Sequence, residues 1–122
     1  MLGYGKWEVV YYEDRRGRCP VEDFIESLPE KAQVKVFAYI ELLEEKGPFL
    51  KRPYADLLED EIYELRVRFG KGRYRIFYFF WSGNKIVLTH GITKKTSSVP
   101  PTEIERAKRY REDWLRRFEE AA

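Results

Sequence analysis

Apolar and polar positions change rhythm along this chain, and the changes divide it into elements. Trp7 to Tyr12 (WEVVYY) is β-branched and aromatic, which predicts a first strand. The polar run Glu13 to Arg18, with Gly17, ends it. Pro20 suits the first turn of a short helix, where its missing N–H costs nothing, with Phe24, Ile25 and Leu28 on the apolar side. Ser27-Leu28-Pro29-Glu30 has capping-box spacing, so Ser27 is expected to cap a second helix while Glu30 reaches back to it. Val36, Phe37, Ile40 and Leu43 form the stripe of that helix, and Gly47-Pro48 stops it. Phe49 to Asp60 reads as a connecting loop.

From Ile62 the period becomes two. Tyr63, Leu65, Val67 and Phe69 point one way, and Glu64, Arg66 and Arg68 the other. Gly70-Lys71-Gly72 makes a hairpin turn into Tyr74 to Trp81, a strand apolar on both faces beyond Arg75 and therefore central. Ser82-Gly83-Asn84 turns the chain into a last strand, Lys85 to Ile92. Pro100-Pro101 marks the exit, and Thr102 with Glu105 repeats the capping-box pattern. A terminal helix then runs to about Phe118, with Ile104, Ala107, Tyr110, Trp114 and Phe118 on one stripe.

The order β-α-α-β-β-β-α predicts an α+β fold: a mainly antiparallel four-stranded sheet, a helical hairpin on one face and a C-terminal helix. At 122 residues, residues 1–122 are expected to form a single domain that buries its own core. A 36% share of charged residues beside 16% aromatics describes a folded chain rather than a disordered one. A lone cysteine, Cys19, excludes an internal disulfide and is expected to be a structural thiol. With one histidine far from that cysteine, no metal-ligand set is recognisable, and no cofactor is expected. No secretory signal pattern or membrane-length apolar run is present, so the expected location is the cytoplasm, without membrane association.

Charge changes the picture more than composition does. The net charge is only +2, yet Ile62 to Lys95 holds eight Lys/Arg against one Asp/Glu, while Met1 to Glu61 holds nine against fourteen. Arg66 and Arg68 share a strand face, Arg73 and Arg75 lie across the hairpin, and Lys94 and Lys95 extend from the last strand toward them. Such a cluster repels itself and needs an anionic partner. Nucleic-acid phosphate is one candidate, with Tyr63, Tyr74 and Phe77 near enough to stack on bases. Pairing with the acidic first half of the chain, or with an acidic protein, is the other.

Four segments carry a family resemblance: Tyr63-Glu64-Leu65-Arg66, Tyr74-Arg75-Ile76-Phe77-Tyr78, His90-Gly91-Ile92-Thr93-Lys94-Lys95-Thr96 and Pro101-Thr102-Glu103-Ile104. Together they resemble the RelE/ParE toxin superfamily, and most of all the HigB-like, phage-related branch of type II toxin–antitoxin toxins. The resemblance implies a metal-independent endoribonuclease, an mRNA interferase that cuts messenger RNA on the ribosome and is silenced by a cognate helix-turn-helix antitoxin. It implies catalytic positions at Arg66, Arg75 and Lys95, with Lys94 beside it. It also implies that the terminal helix can lie against antitoxin, leaving Trp114 and Phe118 partly interfacial. Within the same superfamily, a ParE-type toxin that poisons DNA gyrase is the alternative. A non-catalytic phage-derived binding protein is another.

Roles within that chemistry follow from charge. The ribose 2′-OH must lose a proton, the phosphorane needs cations, and the departing oxygen needs a donor. Arg66 and Arg75 suit the phosphorane because they stay charged. Lys94 or Lys95 suits proton transfer, since neighbouring cations lower a lysine pKa. Glu64 is a candidate base, or the salt-bridging organiser of the cluster. Arg68, Arg73, Lys71 and Tyr74 are expected to bind RNA. His90 is a less favoured acid or base: parity puts it with Ile86, Leu88 and Ile92 on the core face, and Thr89, Gly91, Thr93 and Lys95 on the other, unless a bulge at Gly91 changes the register. The run Phe77 to Trp81 is expected to be core.

Overall fold

A computed structural model describes residues 6–119. Chain order is β1 (Glu8–Tyr11), α1 (Pro20–Glu26), α2 (Glu30–Lys46), a single 3₁₀ turn (Gly47–Phe49), β2 (Ala55–Glu59), β3 (Ile62–Phe69), β4 (Gly72–Trp81), β5 (Lys85–Thr93) and α3 (Pro101–Phe118). The five strands form one sheet in the order β1-β5-β4-β3-β2, parallel between β1 and β5 and antiparallel elsewhere. The α+β class stands as expected, with a fifth strand added.

β4 lies in the middle of the sheet, as its two apolar faces require. Tyr74, Ile76 and Tyr78 join Val21 and Ile25 of α1, Val36, Ile40 and Leu43 of α2, and Leu65 and Val67 of β3 in one core. Phe77 and Phe79 face the other way and pack with Val87 of β5 and Ala107 and Trp114 of α3. The sheet is thus covered by α1 and α2 on one side and by α3 on the other. The aromatic run is core over Phe77, Tyr78 and Phe79, which are buried, whereas Phe80 and Trp81 are half-buried and pack against the two cores.

Several local expectations are corrected. The segment expected to be a loop contains β2, whose Ala55, Asp56 and Leu57 pair with Leu65, Glu64 and Tyr63. Its turn into β3 places Asp60 and Glu61 in the left-handed region, at φ 49° and 63°. That region is costly for side chains with a Cβ, and α3 secures the turn. Lys108 pairs with Glu59 and lies 2.8 Å from Asp60, while Arg111 donates to the Asp60 carbonyl. Neither capping box forms. The Ser27 hydroxyl donates to the Phe24 carbonyl within its own turn, and α2 starts after Pro29 with no side-chain cap. Thr102 lies inside α3, which begins at Pro101. Phe37 is also off the buried stripe, at 46% exposure, because α2 turns Val36, Ile40 and Leu43 inward.

The most consequential departure is in β5. Phe77 pairs with His90 but Tyr78 pairs with Leu88, leaving Thr89 as an extra residue, a β-bulge. The Thr89 hydroxyl donates to the Phe77 carbonyl. The bulge inverts parity: Ile86 and Leu88 face α1 and α2, whereas His90 and Ile92 face α3. His90 is buried as expected, but on the opposite face. Its Nε2 lies 3.1 Å from Glu103 Oε1 and its Nδ1 3.1 Å from Thr89 Oγ1. With Glu103 ionised, Nε2–H is the donor to it. Gly91 now faces Phe24, and a Cβ there would stand 2.4 Å from that ring.

Two stability consequences follow. Gly91→Ala forces the Phe24 ring off its seat and is expected to cost about 1–3 kcal/mol by urea unfolding. Burial pushes the His90 pKa down to about 4 against the pull of Glu103, so the unfolded chain binds more protons between pH 6.5 and pH 4. The stability that His90 confers as a neutral group is therefore full above the unfolded pKa and lost as pH falls toward 4. The expected loss is up to about 3 kcal/mol. Melting temperatures of wild type and His90→Gln, compared at pH 7 and pH 5, check this: the variant should lose less on acidification.

Candidate active site

The cationic face lies where the two cores end. β3 and β4 pair Glu64 with Phe77, Arg66 with Arg75 and Arg68 with Arg73. Period-two alternation therefore places Glu64, Arg66, Arg68, Arg73 and Arg75 on one face, the α3 side, beyond the rings that α3 covers. Glu64 and Arg75 are both about 5% exposed, and Arg75 Nε lies 3.1 Å from Glu64 Oε1. The Arg75 N–H does not point along that contact, so each of these two buried atoms is an ion-pair member without an aligned hydrogen bond. Arg66 Nε stands 3.8 Å from the other Glu64 oxygen. An Arg75 terminal nitrogen also donates to the Tyr74 carbonyl.

The bulge decides which lysine joins them. Parity inverted at Thr89 carries Lys94, not Lys95, onto the arginine face, and the Lys94 N–H donates to the Arg73 carbonyl at 2.8 Å. Burial lowers the Lys94 pKa, and the charges of Arg75, Arg66 and Arg73 push the same way against Glu64. Glu64 is pushed up by burial, with Arg75, Arg66 and Lys94 pulling it back and Asp56 adding to the rise. The arrangement thus holds a reluctant carboxylate and a weakened ammonium beside fixed guanidinium charge, the combination that proton transfer at a phosphate requires.

Two clefts flank Arg66. One, of about 280 Å³, is lined by Tyr39, Pro53, Tyr54, Arg66, Val67, Arg68, Arg73 and Arg75. The other, of about 350 Å³, includes Glu64, Arg66, Lys94, Arg52, Asp56, Ser97 and Ser98 in its walls. Arg66 is common to both.

The expected site residues divide accordingly. Glu64, Arg66, Arg75 and Lys94 come together, with Arg68 and Arg73 along one cleft. Lys95 and Lys71 are exposed and line neither cleft. Tyr74 is buried on the opposite face against Phe24; Tyr63 packs on Tyr78 and Phe80, and Phe77 is fully buried. None of these three rings faces the clefts. His90 is enclosed between Phe77, Tyr110 and Glu103, away from them. Cys19 is buried at the start of α1, where burial raises its thiol pKa. Tyr39, Tyr54, Arg52 and Asp56 are the neighbours that sequence reasoning missed. Asp56 pairs opposite Glu64 in β2, the strand read as loop, and Arg52 binds it at 2.7 Å.

Among the described residues no group of three His, Cys, Asp or Glu is arranged to hold a metal ion, and no helix is long and apolar enough to cross a membrane. A search of curated proteins gives no significant match. A family model described as phage derived protein Gp49-like (DUF891) matches residues 23–112, which run from the middle of α1 through most of α3 and include the whole cationic face. That family is related to RelE-type toxins. The chain therefore belongs to the Gp49-like family of phage-derived proteins.

Proposed function

We propose that this protein is a HigB-like toxin of a type II toxin–antitoxin system that cleaves messenger RNA at the ribosome without a metal ion. The observation carrying this reading is the buried Glu64 carboxylate held among Arg75, Arg66 and Lys94 at the wall of a cleft. Membership of a family related to RelE-type toxins supports it. In the proposed reaction Glu64 accepts the ribose 2′-OH proton and O2′ bonds to phosphorus. Arg66 and Arg75 balance the added negative charge of the phosphorane. The P–O5′ bond then breaks and Lys94 gives a proton to the departing O5′, leaving a 2′,3′-cyclic phosphate and a 5′-hydroxyl; solvent restores both protonation states.

The role that the resemblance assigned to Lys95 passes to Lys94 in this reading, because only Lys94 lies on the arginine face. An acidic antitoxin segment that imitates RNA phosphate would compete for the same cations.

Mapping mRNA 5′ ends in growth-arrested cells and in a reconstituted translation mix tests the reading. Wild type should produce new ends, Lys94→Ala and Arg66→Ala should lower the cleavage rate about 10²-fold or more, and Lys95→Ala should stay near wild type. Arg75→Ala is a poorer probe, since it strands Glu64 as a buried unpaired charge. Intact cleavage in Lys94→Ala would refute the assignment, and gyrase-dependent DNA damage without mRNA ends would favour a ParE-type activity. The pH dependence gives an independent check. A base must be deprotonated, so the rate should rise through a Glu64 pKa above that of an ordinary carboxylate. An acid must be protonated, so the rate should fall through a Lys94 pKa below that of an ordinary lysine. Glu64→Gln should abolish the rising limb.

A further inference from the structure

The cleft beyond Arg66 has a composition that phosphate chemistry alone does not explain. Its lining brings four arginines together with two tyrosines, a proline and Val67. Tyr54 is 42% exposed, although its ring meets Tyr39 edge-on at 5.9 Å. Lys35 Nζ sits 5.8 Å from the centre of the Tyr39 ring. The backbone contributes as well. The Arg66 N–H donates to the Tyr54 carbonyl at 2.7 Å, where β2 begins, so β3 continues past this point as an uncovered edge. By period-two alternation the Arg68 N–H and C=O point to that same edge, facing the cleft. An aromatic platform, cations spaced along a strand and unclaimed backbone donors and acceptors are what an unpaired base with its phosphate needs.

We propose that this cleft is a nucleobase subsite: it receives the base next to the scissile phosphate, with Tyr54 as its stacking platform and Arg68 and Arg73 on the neighbouring phosphate. The proposal rests on the reading of the protein as a ribonuclease. The volume, about 280 Å³, is enough for one base. Arg66, shared by both clefts, fixes the division between them: the reacting phosphate sits at Arg66, its Glu64 and Lys94 partners lie on one side, and the captured base lies on the other. A single-stranded segment threaded this way is held on both sides of the bond that breaks. Tyr54 is a positioning residue in this scheme, because it touches the base and not the reacting atoms.

The test uses the full-length chain and a short single-stranded RNA, 2′-O-methylated throughout so that it cannot be cut. Tyr54→Ala is expected to weaken binding about tenfold, and Tyr54→Phe to stay within about twofold of wild type, since the ring and not the hydroxyl carries the stack. Replacing the nucleotides one at a time by abasic units should reveal a single position at which wild type and Tyr54→Ala bind equally. Thermal melting of each variant confirms that the fold is retained, as expected for an exposed side chain. In the translation mix, Tyr54→Ala should raise KM with little change in kcat. Equal affinity of Tyr54→Ala and wild type, or an abasic scan without such a position, overturns the subsite while leaving the ribonuclease reading to stand on Lys94 and Arg66. Should the wild type bind the oligonucleotide only on ribosomes, an unchanged KM for Tyr54→Ala in the translation mix overturns it equally. A wild type that neither binds nor cleaves RNA removes both readings together.

Discussion

Glu64 and Arg75 meet diagonally across adjacent strands, buried and 3.1 Å apart. Taking two ions out of water costs several kcal/mol each, and their attraction offsets that only with good geometry. Here the geometry is imperfect, because the guanidinium N–H is not aimed at the carboxylate oxygen. The pair therefore makes poor sense as a device for stability. It is held in place by what surrounds it: β4 is buried on both faces, so its backbone cannot shift to relax the contact. Two hydrophobic cores act as the clamp, and the buried ion pair sits at their common end.

Much of this arrangement is legible from residue order. Period two from Ile62 fixes the face of every charged residue in β3 and β4, because one apolar side chain out of phase would expose the core. Glycine and proline mark the turns by chemistry that has few alternatives. What escapes is whatever the tertiary structure imposes on indifferent sequence. Ala55 to Glu59 is rich in good helix formers, and its turn has Asp60 and Glu61 where a glycine would have announced a hairpin. Lys108 and Arg111 of α3 hold that turn from far along the chain, and no local pattern encodes a partner so distant. The capping box at Ser27 fails for a nearer reason. A hydroxyl at the right spacing is worth little when the preceding helical turn offers its own carbonyl, as Phe24 does to Ser27.

The site shows the same division. Its arginines and Glu64 follow from strand parity, whereas its aromatic wall does not. Tyr39 belongs to α2 and Tyr54 to the segment before β2, and only the folded chain brings them beside Arg66. The tyrosine that parity-free reasoning favoured, Tyr74, alternates with Arg75 and so must face the opposite core.

The extra residue in β5 has a consequence that reaches past its own hydrogen bond. A strand is a two-state code in which each position reads in or out, and Thr89 shifts the frame of everything after it. Lys94 and Lys95 are chemically identical letters, yet one is steered beside a buried carboxylate and the other left in solvent. Chain length alone, counted from the bulge, decides which is which. A reading frame set in this way lets a single insertion or deletion exchange the side chain presented beside Glu64, with no change in the residues of β3 and β4 around it.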